Sequence, residues 1–300
     1  MRRIGLFLLT NIAVLLLLGT VCHLLGIDAW SAQHGYGGLA GLLVLAAVFG
    51  MGGAFISLAM SKWMAKMSTG ARVIAQPQNE AERWLLETVR QHAQAAGIGM
   101  PEVAIYDAPE MNAFATGMSK NHALVAVSSG LLEQMDREQV KAVLGHEIGH
   151  VANGDMVTLT LVQGVLNTLV ILAARIVGQL VDSWLSGGRS DNRGGSGIGY
   201  FVTVMVLQVL FGLLASMVVM AFSRWREFHA DAAGARLAGR DAMISALRRL
   251  QADHGENTLP KTLAAFGISG PLAQGFQRLF MSHPPLEERI AALQGAATAA

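Results

Sequence analysis

Cysteine is almost missing from this chain. Cys22 is the single one among 300 residues, so no intramolecular disulfide and no cysteine-based zinc cluster can form. Any metal site must be built from histidines and carboxylates. Charge is scarce as well: 14% of residues are charged, against about 25% in a typical soluble chain. With 52% hydrophobic residues, that scarcity excludes an intrinsically disordered chain and argues against a purely soluble enzyme. A net charge of +1 offers no electrostatic footprint for nucleic acid, and none is expected as a partner. Aromatics are few, at 6%, whereas glycine is plentiful, at 34, a mixture that suits membrane helices packed through small residues.

The apolar residues are gathered into runs. Residues 4–27, 29–61, 156–174 and 194–223 contain no Asp, Glu, Lys or Arg. About 20 apolar residues cross a hydrocarbon core, so each run has the length of a transmembrane helix. Arg175 would interrupt the third run if it continued to Val181, and lies near enough to its end to snorkel to the interface. The N-terminal run is too long for a signal-peptide core and no A-x-A site follows it, so a retained anchor is expected. Arg2 and Arg3 precede the first run; Lys62, Lys66 and Arg72 follow the second; Arg224 and Arg226 follow the fourth. By the positive-inside rule all these flanks belong on the cytoplasmic side. Arg189 and Arg193, in a Gly- and Ser-rich loop, would lie outside.

Two polar segments remain, 62–155 and 224–300, and both are expected to face the cytoplasm. Their combined length of about 170 residues is enough for one soluble domain split by a membrane hairpin. The division predicted is therefore two spans in 1–61, the first part of a catalytic domain in 62–155, a transmembrane hairpin in 156–223, and the second part in 224–300. Asn79 followed by Glu82 predicts a helix over 80–96 opened by a capping box. Strand-like runs follow at 102–106, 112–116 and 122–128. A further helix runs from Asp136 to about Ala152, and others are read near 224–238, 241–252 and 285–294.

Inside the helix after Asp136 stands His146-Glu147-Ile148-Gly149-His150, an HExxH motif. Residues four apart share one helical face, so His146 and His150 can offer imidazole nitrogens to one metal, with Glu147 beside them to handle a proton. A catalytic zinc takes three protein ligands and keeps one position open. Asn153 and Met156 stand where a metzincin needs its glycine and third histidine, which excludes that class. A di-iron site would need a second ExxH, and none exists. Glu227-Phe228-His229-Ala230-Asp231, just past the fourth run, offers what is missing. Glu227 can complete a His2Glu site, and Asp231, four residues on, can orient a ligand histidine; His229 is a rival third ligand. For the two segments to meet at one ion, an even number of crossings must separate them, and the two apolar runs between them supply two. Asp155 could brace the metal helix, but is more readily read as the helix end at the membrane surface.

In this order, the motifs resemble those of the HtpX family of heat-shock membrane proteases, in the gluzincin branch of zinc metallopeptidases that also holds the CAAX prenyl endopeptidases. The resemblance covers nearly the whole chain. It rests on two N-terminal spans, NAFATG at 112–117, the HEIGH helix with Asn153-Gly154-Asp155, a second pair of spans, Glu227 to Asp231, and Ser282-His283-Pro284-Pro285 with Glu287-Glu288-Arg289. It implies an α+β, mainly helical protein with four transmembrane helices and a zincin-like cytoplasmic metallopeptidase domain. It implies one Zn2+ per chain, held by His146, His150 and Glu227, with Glu147 as catalytic base and Asp231 behind a ligand. It further implies an endopeptidase facing the cytoplasm from the bacterial inner membrane, with membrane proteins as substrates and the bilayer as surroundings, acting in quality control under stress. Asn112 and Ala113 would lie on the strand edge that receives the substrate backbone. His283 would either donate to the oxyanion or cap the turn set by Pro284 and Pro285. Phe228-His229 departs from the residues of some members. Two other readings fit parts of the pattern: a CAAX-type prenyl-processing protease, disfavoured by four spans, and a non-catalytic membrane scaffold, which would not need base and ligands intact together.

Overall fold

A computed structural model describes residues 38–185, 198–253 and 279–295; the apolar run 4–27 lies outside these. In chain order the elements are α1 (Gly38–Thr69), β1 (Arg72–Val73), α2 (Glu80–Ala95), β2 (Glu102–Tyr106), β3 (Ala113–Thr116), β4 (Leu124–Ser128), α3 (Ser129–Gln134), α4 (Arg137–Asn153), α5 (Asp155–Leu185), α6 (Ile198–Ala238), α7 (Arg240–Asp253) and α8 (Leu286–Gly295). The protein is mainly helical with one small mixed sheet. The chain divides into two compact units, one of residues up to Ser57 with Thr160–Val219, the other of Leu58–Leu159 with residues from Met220 on.

The first unit holds most of the apolar helix length. Among the described residues three helices, α1, α5 and α6, are long and apolar enough to cross a membrane. Val48, Phe49 and Ile56 of α1 and Phe201, Val209 and Leu214 of α6 are exposed, as lipid-facing side chains are. Helices α1 and α5 touch through small residues: a Cβ added at Gly50 would lie 2.5 Å from the Thr168 backbone nitrogen. In lipid such close approach, rather than burial of apolar surface from water, is what holds helices together.

The second unit is built on a four-stranded sheet of order β1-β2-β4-β3. Strands β2 and β4 run parallel, with Val103 opposite Val125, while β1 and β3 are antiparallel edges. Every residue of β4 is buried, which explains its unbroken apolar run, since a strand covered on both faces does not alternate. One face carries the main core, where Val103, Val125 and Val127 meet Leu85 and Val89 of α2, Leu144 and Ile148 of α4, Leu247 of α7 and Ile290 of α8. At the far end of α1, Lys62 and Lys66 both donate to Glu102 of β2, at 2.6 and 2.5 Å.

Local chemistry set most of these boundaries. Asn79 caps α2 by accepting from the Glu82 backbone N–H at 2.8 Å. The return half of that capping box is replaced: the Glu82 carboxylate accepts from the Gln78 N–H and from Arg72. A complete capping box instead opens α4, where Asp136 and Gln139 bond each other's backbone. The helix read near 224–238 is continuous with the last apolar run, forming the 41-residue α6, because no breaker separates Ser223 from the polar stretch that follows.

Candidate metal centre

Helix α4 carries His146 and His150 on one face because they are four residues apart. It ends at Gly154, whose φ of 67° lies in the left-handed region that glycine enters without a Cβ penalty. That one residue redirects the chain, and Asp155 starts α5 beside the histidine it has just passed. Helix α6 supplies Glu227 and Asp231, again four apart.

The two helices meet along a seam with no room for side chains. A Cβ on Gly145 would lie 3.1 Å from the Gly234 Cα, and one on Gly149 would lie 2.7 Å from the Ala233 Cβ. A Cβ on Gly234 would reach to 3.2 Å from the His146 backbone nitrogen. Only glycine and alanine at these places let the backbones come close enough for short acidic side chains on α6 to reach the imidazoles of α4.

Three ligand atoms result, from His146, His150 and Glu227, all within 4.8 Å of one another. The two imidazole Nε2 atoms are 3.1 Å apart, and Glu227 Oε1 and Oε2 lie 3.2 and 3.6 Å from His150 and His146. Tetrahedral zinc with bonds of about 2.0–2.1 Å spaces its ligands roughly 3.3 Å apart, so the set matches. The hydrogen bonds agree. His146 Nδ1 is 2.9 Å from Asp231 Oδ1, and His150 Nδ1 is 2.7 Å from Asp155 Oδ2. With both Nδ1–H groups donating to carboxylates, both Nε2 atoms are turned toward one spot, where a cation that displaces the His150 proton meets two lone pairs at once. Glu227 Oε2 is buried and, although ion-paired with His283 Nδ1 at 2.8 Å and Arg289 Nη1 at 3.1 Å, makes no hydrogen bond of good geometry.

Residues 79–297 match the family description "Peptidase family M48". The chain belongs to peptidase family M48. Three curated relatives, each called Protease HtpX, align over nearly their whole lengths. That of Xanthomonas euvesicatoria pv. vesicatoria is 62% identical over 100% of this chain and 99% of its own. That of Xanthomonas oryzae pv. oryzae is 62% identical over 98% of each chain, and that of Xanthomonas campestris pv. campestris 61% identical over 98% of this chain and 97% of its own. The crystal structure of S. mikatae Ste24p shares the fold, with a TM-score of 0.62 at 16% identity, over 98% of this chain and 67% of that one. The protein is thus an M48 membrane zinc metalloprotease, and His146, His150 and Glu227 are its zinc site.

Charge in the M48 site is arranged as closely as shape. Glu147, Glu227, Asp231 and Asp155 are all buried. Against these four carboxylates stand two guanidiniums, Arg226 on Asp155 and Arg289 on Asp231 and Glu227. Burial pushes the Glu147 carboxyl up, and the imidazoles of His146 and His150 pull it back only in part. Burial alone would pull the His150 imidazole down, but its hydrogen bonds to Asp155 and Glu227 outweigh that and push it up to about 10. A nitrogen that holds a proton so firmly sits in a strongly negative potential, which a metal dication exploits equally.

The structure gathers most of the candidate residues and separates others. Glu147, 9% exposed, lies beside the ligand set on α4. His283 is 62% exposed with its Nδ1 2.8 Å from Glu227 Oε2. His229, the rival ligand, faces away: its Nδ1 bonds the Trp225 carbonyl at 3.1 Å. Asn112 and Ala113 lie at the start of β3, with the Asn112 carbonyl accepting from the Ser128 N–H. Asp155 stands at the helix end, between α4 and α5, and its carboxylate, 3% exposed, also accepts from His150 Nδ1, so it braces the metal helix as well. Sequence reasoning missed what Arg226 and Arg289 do. A basic residue beside Glu227, or one in a C-terminal helix, gives no sign of what it will face. Only Gly154-Asp155, directly after the metal helix, offered a local hint.

Proposed function

We propose that this metalloprotease is an endopeptidase that hydrolyses peptide bonds of misfolded or damaged membrane proteins, in stress response and quality control, from the cytoplasmic face of the bacterial inner membrane. The reading is carried by Glu147, a buried carboxylate next to His146 and beside the convergent ligand atoms. Zinc, when bound, supplies the Lewis acidity that lowers the pKa of water to about 7 and polarises a carbonyl. Glu147 accepts the proton of the attacking water and returns it to the leaving amine; its raised pKa suits both halves of that cycle. Asp231 keeps His146 in the orientation a ligand needs. His283, exposed beside Glu227, swings to donate a hydrogen bond to the developing oxyanion.

The substrate backbone adds to the open edge of the sheet at β3. The Asn112 carbonyl is taken by Ser128, so strand alternation turns the backbone groups of Ala113 outward, next to a site read at Asn112 and Ala113. Such pairing gives affinity with little demand on sequence, as quality control requires. Four spans, with residues 62–155 and 224–300 forming one cytoplasmic domain around the hairpin 156–223, are supported by the basic flanks Lys62, Lys66, Arg224 and Arg226.

The test uses detergent-purified wild type and Glu147→Gln with casein and an unfolded membrane protein. Wild type should cut both, and the variant should lose at least about 100-fold in rate while keeping one zinc per chain. Cleavage by the variant would overturn the role of Glu147; cleavage of a prenylated C-terminal peptide alone would overturn the substrate. In a Cys22→Ser background, cysteines at Arg72 and Arg189 should react with an impermeant maleimide from opposite sides.

A further inference from the structure

Arg289 is a buried charge engaged on every side. It is 6% exposed, and every nitrogen of its guanidinium faces a residue of the metal centre. Nε donates to Asp231 Oδ2 at 2.8 Å and Nη2 to Asp231 Oδ1 at 2.6 Å, a two-bond fork on one carboxylate. Nη1 lies 3.1 Å from Glu227 Oε2, and Nη2 lies 3.4 Å from His146 Nδ1. Burying a guanidinium is costly unless its partners are well placed, so this arrangement is expensive to build for neutralisation alone.

The geometry says what it achieves. Asp231 Oδ1 receives both the His146 Nδ1–H and one arm of the fork. A carboxylate held by a single bond turns freely about it; one held by two parallel bonds has its plane fixed. Fixing the plane of Asp231 fixes the direction of Oδ1, and that direction sets the ring plane of His146 and the line of its Nε2 lone pair. The third nitrogen, against Glu227 Oε2, stops the ligand carboxylate from turning away, while Oε1 stays 3.2 Å from His150 Nε2.

The other histidine is held by the same layout from different elements. His150 rests on Asp155, and Asp155 rests on Arg226. Two histidines, two carboxylates and two arginines repeat one pattern, although Arg226 sits on α6 and Arg289 on α8. Helix α8 is itself anchored: Ile290 and Leu293 lie in the main core, and Glu287 accepts from Gln251 of α7.

We propose that Arg289 is a positioning residue of the metal centre, whose two-bond fork on Asp231 aligns His146, and whose third nitrogen holds Glu227, so that the C-terminal helix α8 completes the zinc site. The proposal rests on zinc being held by His146, His150 and Glu227.

Lysine keeps the charge but cannot form the fork, so Arg289→Lys separates alignment from neutralisation. Zinc affinity is measured by chelator competition on the full chain in detergent, beside thermal melts of the metal-free protein and the visible spectrum with Co2+ in place of zinc. Arg289→Lys should melt, metal-free, close to wild type, bind zinc about 10–100-fold more weakly, and show shifted cobalt bands. In an Asp231→Asn background, where the fork is already lost, the same change should cost less than about 3-fold more, because the two residues act as one. Wild-type zinc affinity and cobalt spectrum in Arg289→Lys would overturn the proposal, as would full additivity in the double variant. Arg289→Gln is the second variant: if both single variants are unfolded without metal, Arg289 serves folding and the proposal falls. A wild-type chain that bound no zinc would sink the metal reading itself, which is a different result.

Discussion

The seam between α4 and α6 makes Gly149, inside the HExxH motif, a determinant of metal affinity although it touches no ion. Gly149→Ala adds a Cβ 2.7 Å from the Ala233 Cβ and 3.3 Å from the Ala230 Cα. Carbon atoms rest about 3.5–4.0 Å apart, so the helices must separate locally by about 1 Å. The ligand atoms they carry are now 3.2 and 3.6 Å apart across that seam. Zinc bonds hardly stretch, so binding the ion must pull the seam closed again against the methyl group. Overpacking of this kind costs about 1–3 kcal/mol, or roughly 5- to 150-fold in zinc affinity if most of it appears on binding. The assay is chelator competition on metal-free protein, with Gly212→Ala as control. Nothing lies within 4 Å of a Cβ at Gly212, so the helix-forming advantage of alanine should act there unopposed. Gly149→Ala protein with wild-type zinc affinity and an unchanged metal-free melt would refute the close-packing argument.

Two other perturbations test different parts of the structure. Asp155→Ala leaves the His150 Nδ1 without its acceptor and should weaken zinc binding about 10–100-fold, with the metal-free melt as a check on folding; unchanged affinity would return Asp155 to a structural role. Glu82 is held well below the usual carboxylate range, chiefly by the Arg72 guanidinium and then by the Gln78 N–H. Its stabilisation is therefore complete above the unfolded value of about 4.3 and is lost as pH falls toward the lower folded value. Metal-free Glu82→Gln should be less stable than wild type near neutrality, and the two stability curves should converge in acid; parallel curves would rule the ion pair out as a source of acid sensitivity.

What could be read from the sequence followed how local the cause was. Asn79 and Asp136 announce their helices because capping is settled within three residues, and Leu124–Ser128 shows as a strand because burial on both faces leaves an unbroken apolar run. His146, His150 and Glu227 were legible because helical spacing and the parity of crossings constrain them together. Beyond that range the pattern fell silent. Glu82 left its capping box for Arg72, ten residues back, and β1 is too short to carry a period. Arg289 gives no sign in sequence of meeting Asp231, 58 residues earlier, because a buried pair is specified by packing of the core around it.

The ring of buried charges has a consequence for which ions and which steps the centre tolerates. With both imidazoles neutral, as metal ligation requires, and Glu147 ionised, as a base must be, four carboxylates and two guanidiniums sum to minus two, so a dication brings the enclosed total to zero. A monovalent ion would leave the interior negative and a trivalent one would leave it positive, and either residue of charge is penalised where water is scarce. Ionic valence is thus screened before ligand preference is consulted. The same sum governs turnover: moving a proton from a neutral water to Glu147 redistributes charge inside the ring without altering its total, so the reaction's first step asks nothing of the surroundings.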